Sequence, residues 1–281
     1  MPNQQEIQDA ILKVQKLNPS PAVFAKACAK VRDPDTTLSD IAEIIKLDAS
    51  MTADIIRLSS SAVYGFTEPS ANLETAMQRI GLREVYHLLG LSISKSTVAS
   101  DLQNYGLTSL EYWEKTVSVA ILMEELSSAL DLPKEESYTI GILHAIGRKV
   151  INQTLEQMRV TIFWDGKQSL EEWEVDLIGM NHTEVGSRLM KSWGFPENVA
   201  ETIKHQLTPE LASENVRMLA LALNFAIRWT ESNGNGFTNP EPQPLEQHPL
   251  TLDPHWSGIK LDALLTRCQK RFTDAKQLLA A

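Results

Sequence analysis

Apolar residues recur at three- and four-residue intervals along most of the chain, and no other feature limits the fold so strongly. Ile7, Ile11 and Val14 form one such series. Ile41, Ile44, Ile45, Met51, Ile55 and Leu58 form a second, and Ala76, Ile80, Val85, Leu88 and Leu89 a third. This spacing gathers each set on one face of a helix, where it can be buried against a neighbour. The nearest approach to a strand is MRVTIFW, Met158 to Trp164. It stands alone, and a lone strand has nothing to pair with. The pattern therefore predicts an all-α protein.

Local signals place the helix ends. Thr108 followed three residues later by Glu111 makes a capping box, and Pro133 and Pro196 suit first-turn positions. Gly81, Gly106 and Gly194 fall where periodic patterns break, as expected of a residue that takes positive φ cheaply. Two stretches read as joints: ASDLQNYGLTS, Ala99 to Ser109, and the Asn-, Gly- and Pro-rich run from Glu231 to Gly258. No internal repeat is visible. The expected organisation is a helical lobe over residues 1–100, a second lobe over 101–230 built as a helical bundle, an irregular connection over 231–258 and a C-terminal helix over 259–281.

At 281 residues the chain can bury one large core or two smaller ones, and a hydrophobic fraction of 43% supplies the material for it. The formal net charge of −10 opposes binding to phosphate backbones, so no nucleic-acid partner is expected. No run of 18 apolar residues occurs and MPNQQEIQDA lacks the regions of a signal peptide, so no membrane association and a cytoplasmic location are expected. Cys28 and Cys268, far apart and outside any C-x-x-C pairing, suggest buried fillers rather than a disulfide or zinc site.

Few residues carry chemical potential. The GNG at Gly234 to Gly236 follows no strand and opens no helix, so it reads as linker rather than phosphate loop. Ser59 to Ser61 lack the G-x-S-x-G setting of a nucleophile. The histidines say more. His144, His182 and His205 all fall on expected helices or their first turns, and imidazoles converging from several helices are what a divalent metal needs. Taken singly, each is more commonly a structural histidine.

Their order, with the residues around them, resembles the HDOD family, a signalling offshoot of the HD metal-phosphohydrolase superfamily. The opening stretch from Leu17 to Phe66 is similar to the family's pattern at Leu17, Pro19, Pro21, Asp33, Pro34, Asp48, Leu58, Ser61, Ala62, Tyr64 and Gly65, and departs from it at Asn18, Ser20, Ala49, Ser60 and Val63. LETAMQRIGLREVYHLLG, YWEKTVSVA, ILHAIG, NHTEVGSRLMKSWGFPENVAETIKHQ and LALNFAIRW extend the resemblance to about Leu12–Trp229. It implies that the second lobe is an HD-like bundle.

In the superfamily, as the resemblance implies, one metal is held by a His, an adjacent His–Asp pair and a later Asp. Lys115, His144, Ala145 and Asn224 stand at those places here, and His182 and His205–Gln206 stand where further histidines hold a second metal. Only His144 of the first set is a competent ligand. Ala145 removes the carboxylate, Asn224 offers a neutral amide and Lys115 brings an ammonium. No tight metal, no cofactor and no catalytic residue are therefore expected.

The leading expectation is a non-catalytic bacterial signalling protein that engages a regulatory partner, with the signal arriving through a separate protein. Tyr64, Gly65 and Phe66 are candidates for the partner surface, although plugging a gap between helices would explain them as well. One alternative is a divalent-metal phosphohydrolase using His144, His182 and His205 with Glu184 or Glu201. Glu184 is poorly placed for this, because two residues on a helix point it about 200° from His182. Another is a metal-free nucleotide or anion sensor with Lys115, His144 and His205 forming the pocket.

Overall fold

The computed structural model describes residues 3–13, 21–31, 33, 35–47, 49–59, 64, 72–97, 101–193, 195–233, 237, 245–254, 256 and 259–280. Its elements are α1 (Gln4–Lys13), α2 (Pro21–Val31), α3 (Leu38–Ile45), α4 (Ala49–Ser59), α5 (Leu73–Ile80), α6 (Leu82–Thr97), α7 (Ser109–Ala129), α8 (Lys134–Leu143), α9 (Ile146–Gln157), α10 (Leu170–Ile178), α11 (His182–Ser192), α12 (Glu197–Lys204), α13 (Glu214–Ser232) and α14 (Leu261–Ala280). Short 3-10 turns join some of them. No strand occurs among the described residues, where Leu102 and Leu107 make one isolated bridge. The MRVTIFW segment is irregular beyond the end of α9. Asn104 supplies the partners a strand would have had: its Nδ2 donates to the carbonyls of Val160 and Ile162, at 3.3 and 2.7 Å, and its own carbonyl accepts from Trp164 N–H.

The caps follow the sequence closely. Thr108 and Glu111 form the capping box of α7, and Thr37–Asp40 and Ser169–Glu172 do the same for α3 and α10. Gly81 ends α5 at φ 82°. Pro133 and Pro196 sit one residue earlier than expected, at the N-caps of α8 and α12, because their extended ψ turns the chain into the helix rather than beginning it. Gly194 lies outside the described residues.

Helix α7 is the axis of the molecule. Its buried residues run round its circumference, from Tyr112 and Trp113 through Val117, Ile121 and Met123 to Leu126, as expected of a helix surrounded by protein. It packs against α6, α8, α13 and α14. Helices α2 to α6 form the first lobe around Phe24, Ile41, Ile45, Met51, Ile55 and Leu89, and α8 to α13 build the second. Helix α1, although first in sequence, packs on α9, α10 and α11. The apolar core is continuous from one lobe to the other.

Two glycines permit close crossings. A Cβ on Gly141 would meet Ala120 Cα at 2.5 Å, and one on Gly147 would meet the His182 carbonyl oxygen at 2.0 Å. The second crossing brings the α8–α9 corner against the start of α11, so the histidines of both come together. Cys28 and Cys268 are both buried and form no disulfide.

Candidate functional site

The corner LHAIG is a break between two helices. His144 is the C-cap of α8 and Ala145 the N-cap of α9. Both are buried, and His144 Nδ1–H donates to the Gly141 carbonyl at 2.7 Å. That bond leaves the lone pair on Nε2, which is buried without a hydrogen-bond partner. Burial, with the nearby Arg148 and His182 charges, pushes His144 down to about 3, so the ring is neutral at pH 7.

What faces this ring is the chain's own Phe237, buried although it belongs to the Asn- and Gly-rich connection. Its ring stands 6.0 Å from His144 and 5.8 Å from Tyr112, edge to face in each case. Arg148 lies over the same ring at 4.3 Å and Lys115 Nζ at 5.9 Å. Such placements stabilise a cation by about 0.5–2 kcal/mol. Burial holds the Lys115 ammonium below its ordinary range.

The remaining polar residues of the expected metal corner are bonded inward to one another. Gln206 Nε2 donates to the His144 carbonyl at 3.0 Å, and Asn224 Nδ2 donates to the Gln206 carbonyl at 2.5 Å. Asn224 Oδ1 accepts from His248 Nε2–H at 2.9 Å, and His248 Nδ1 accepts from Leu250 N–H, which fixes its tautomer. Burial pushes His248 down to about 4. His182 is tied to the fully buried Glu174 through both Nδ1, at 2.8 Å, and backbone N–H, at 2.7 Å. Burial alone would push the Glu174 carboxyl up, but His182 and Arg148 outweigh it and hold it low. The Arg148 guanidinium lies 3.0 Å from Glu171 and 3.5 Å from Glu174, and Tyr105 O–H donates to Glu174 as well.

His205 stands apart from this cluster. It is the partly exposed C-cap of α12, and its charged neighbours are Lys204, Glu201 and Glu210 rather than Lys115 or His144. Glu201 accepts from Ser213 N–H on the outside of the molecule. Glu184 lies in the first turn of α11, where the Asn181 side chain caps the helix. Tyr64 is half-buried and donates to Glu84 at 3.2 Å; Gly65 and Phe66 lie outside the described residues.

These residues do not fit a divalent ion. Among the described residues no three His, Cys, Asp or Glu side chains are grouped to hold one. An ion put where the Phe237 ring lies would stand 4.3 Å from the Arg148 guanidinium and 5.9 Å from the Lys115 ammonium. Each such charge opposes a divalent ion by roughly 6 kcal/mol at about 5 Å and an effective dielectric of ~20.

The family model for the HDOD domain matches residues 17–209. The chain belongs to the HDOD family. An HDOD domain protein of unknown function from Geobacter sulfurreducens has the same fold over 99% of this chain and 96% of its own, with a TM-score of 0.71 at 19% identity. A protein from Shewanella amazonensis SB2B, provisionally named a metal-dependent phosphohydrolase, superposes with a TM-score of 0.63 over 98% of this chain and all of its own length, at 21% identity. One from Marinobacter aquaeolei VT8, provisionally named a signal transduction protein, gives 0.66 over 98% of this chain and 65% of its own, at 16% identity. At these identities the likeness is one of fold. An uncharacterised protein of Treponema pallidum (strain Nichols) is 26% identical over 201 residues, and the chain spans 38% of its length.

In this HDOD protein, sequence reasoning missed Arg148 and Glu174 within the matched domain, and Phe237 and His248 beyond it. Arg148 was legible in principle, only four residues after His144 and in the first turn of the helix that follows it. Phe237 offered one signal, a lone aromatic inside a polar linker, where an apolar side chain has no reason to stand unless it is buried.

Proposed function

We propose that this HDOD protein is a non-catalytic regulatory module of bacterial signal transduction, acting in the cytoplasm by engaging a protein partner. The observation that carries the reading is Phe237 seated against His144, with Arg148 and Lys115 on the same ring. An apolar plug flanked by two cations takes the volume in which a metal-activated water would have to form. The inward bonding of Asn224 and His248 supports the same reading, because groups committed to each other are not available to a substrate. None of this removes the fold's use as a rigid surface. Helices α6, α7 and α14 meet from different parts of the chain, and the side of α6 that carries Tyr64's partner Glu84 is one face through which a partner could bias the lobes.

The test is hydrolysis of p-nitrophenyl phosphate, its bis ester and a nucleotide panel with manganese, nickel or iron supplied. The reading expects one background rate for the wild type, His144→Ala and His182→Ala. Metal-dependent turnover lost in both variants would favour the phosphohydrolase alternative that the names of some relatives suggest.

A further inference from the structure

A cavity of about 420 Å³ lies away from the His144 corner, where the two lobes and the C-terminal helix meet. Its wall includes Arg83, Glu84 and His87 from α6, Val117 and Ile121 from α7, Tyr138 from α8, and Arg271, Asp274 and Ala275 from α14. The volume falls in the ~300–1,000 Å³ range of small-molecule sites, and a gap between helices at a lobe junction is a common place for one. Helix α14, which supplies one wall, lies outside the residues matched by the family model.

The polar groups of the wall fall into two kinds. Most are already satisfied. Glu124, buried beside the cavity, accepts from His87 Nε2 at 2.9 Å and from Arg271. Arg271 also reaches Glu125 at 3.1 Å, while Glu84 takes the Tyr64 hydroxyl and lies 3.4 Å from His87 Nδ1. Two groups keep free valence. Arg83 spends one N–H on Glu124, at 3.3 Å, and its side chain is 60% exposed, so most of its five-donor fork is unspent. Asp274, half-buried on α14, has no hydrogen bond or ion pair among the described residues. Val117, Ile121 and Ala275 contribute apolar surface to the same wall.

We propose that this cavity binds a small zwitterion, a free amino acid or short peptide, with Arg83 holding its carboxylate, Asp274 its ammonium and the apolar floor its side chain. A simple anion would meet Glu84 and Asp274, and a simple cation would meet Arg83 and Arg271. A molecule carrying both signs satisfies both open groups. Because the walls come from both lobes and α14, an occupant stabilises their association by mass action.

Thermal shift, followed by saturation-transfer NMR on the full chain, tests this with the twenty amino acids and a set of apolar dipeptides. At least one should give a saturable rise in Tm. Its affinity should fall about tenfold or more in Arg83→Gln and in Asp274→Asn, and also when its amine or its carboxylate is removed. Both substitutions lie on exposed or half-exposed side chains, and far-UV circular dichroism checks that the variants fold. Two results would overturn the proposal: no saturable binding by any probe at millimolar concentration, or binding that both variants and both truncated probes retain.

Discussion

Replacing Phe237 by Ala is the most informative perturbation of the His144 corner. A buried Phe truncated to Ala typically costs about 3–5 kcal/mol. The edge-to-face contacts with His144 and Tyr112 and the two cations on the ring would add about 2 kcal/mol between them. Against this, water admitted to the space would solvate Arg148 and reach the unpartnered Nε2 of His144, returning about 1–3 kcal/mol. The net expectation is a loss of about 2–6 kcal/mol, seen as a lower urea midpoint at nearly unchanged slope. A second readout isolates the cause. With the ring gone, His144 should titrate well above the value of about 3 that burial imposes, toward its ordinary 6.5, as followed by its ring-proton NMR shift. A midpoint unchanged within the equivalent of about 0.5 kcal/mol, with His144 still silent above pH 4, would refute the claim that Phe237 closes this corner.

Acid should destabilise the protein through its buried neutral histidines. His144 and His248 have folded-state values of about 3 and about 4, below the unfolded 6.5, so the stability each contributes is complete above pH 6.5 and lost as the pH falls toward those values. Each approaches about 1.4 kcal/mol per pH unit, and His144→Gln should flatten urea-derived stability between pH 6.5 and 4. Glu124, held down to about 2 despite its burial by His87 and Arg271, contributes stability present above its unfolded 4.5 and lost as the pH falls through about 2. Glu124→Gln at pH 7 leaves the Arg271 guanidinium undercompensated and should cost about 3–5 kcal/mol by chemical denaturation. Gly147→Ala sets a methyl group 2.0 Å from the His182 carbonyl oxygen, so α9 and α11 must part; a Tm unchanged within two degrees or so would contradict the packing described.

Periodicity and caps made the helices legible because both are local. The Thr108–Glu111 box and the turn at Gly81 are decided within a few residues, so the sequence alone places them. Placement of α1 against α9, α10 and α11 was not legible, since nothing in Ile7 or Ile11 says which apolar surface they will meet. The site divides in the same way. That Ala145 and Asn224 offer no carboxylate where the family resemblance implies one is a matter of residue identity. That a linker residue would fill the corner, that His248, between two 3-10 turns, would bond Asn224, and that His205 would remain outside are consequences of long-range packing.

The most direct test of the central claim is elemental analysis of the purified protein after loading with manganese, iron, nickel or zinc and dialysis, with His144→Ala and Phe237→Ala measured beside the wild type. If the corner is closed scaffold, wild type and His144→Ala retain the same substoichiometric metal. One equivalent or more retained by the wild type and lost with His144 would contradict it, and would return the site to metal chemistry.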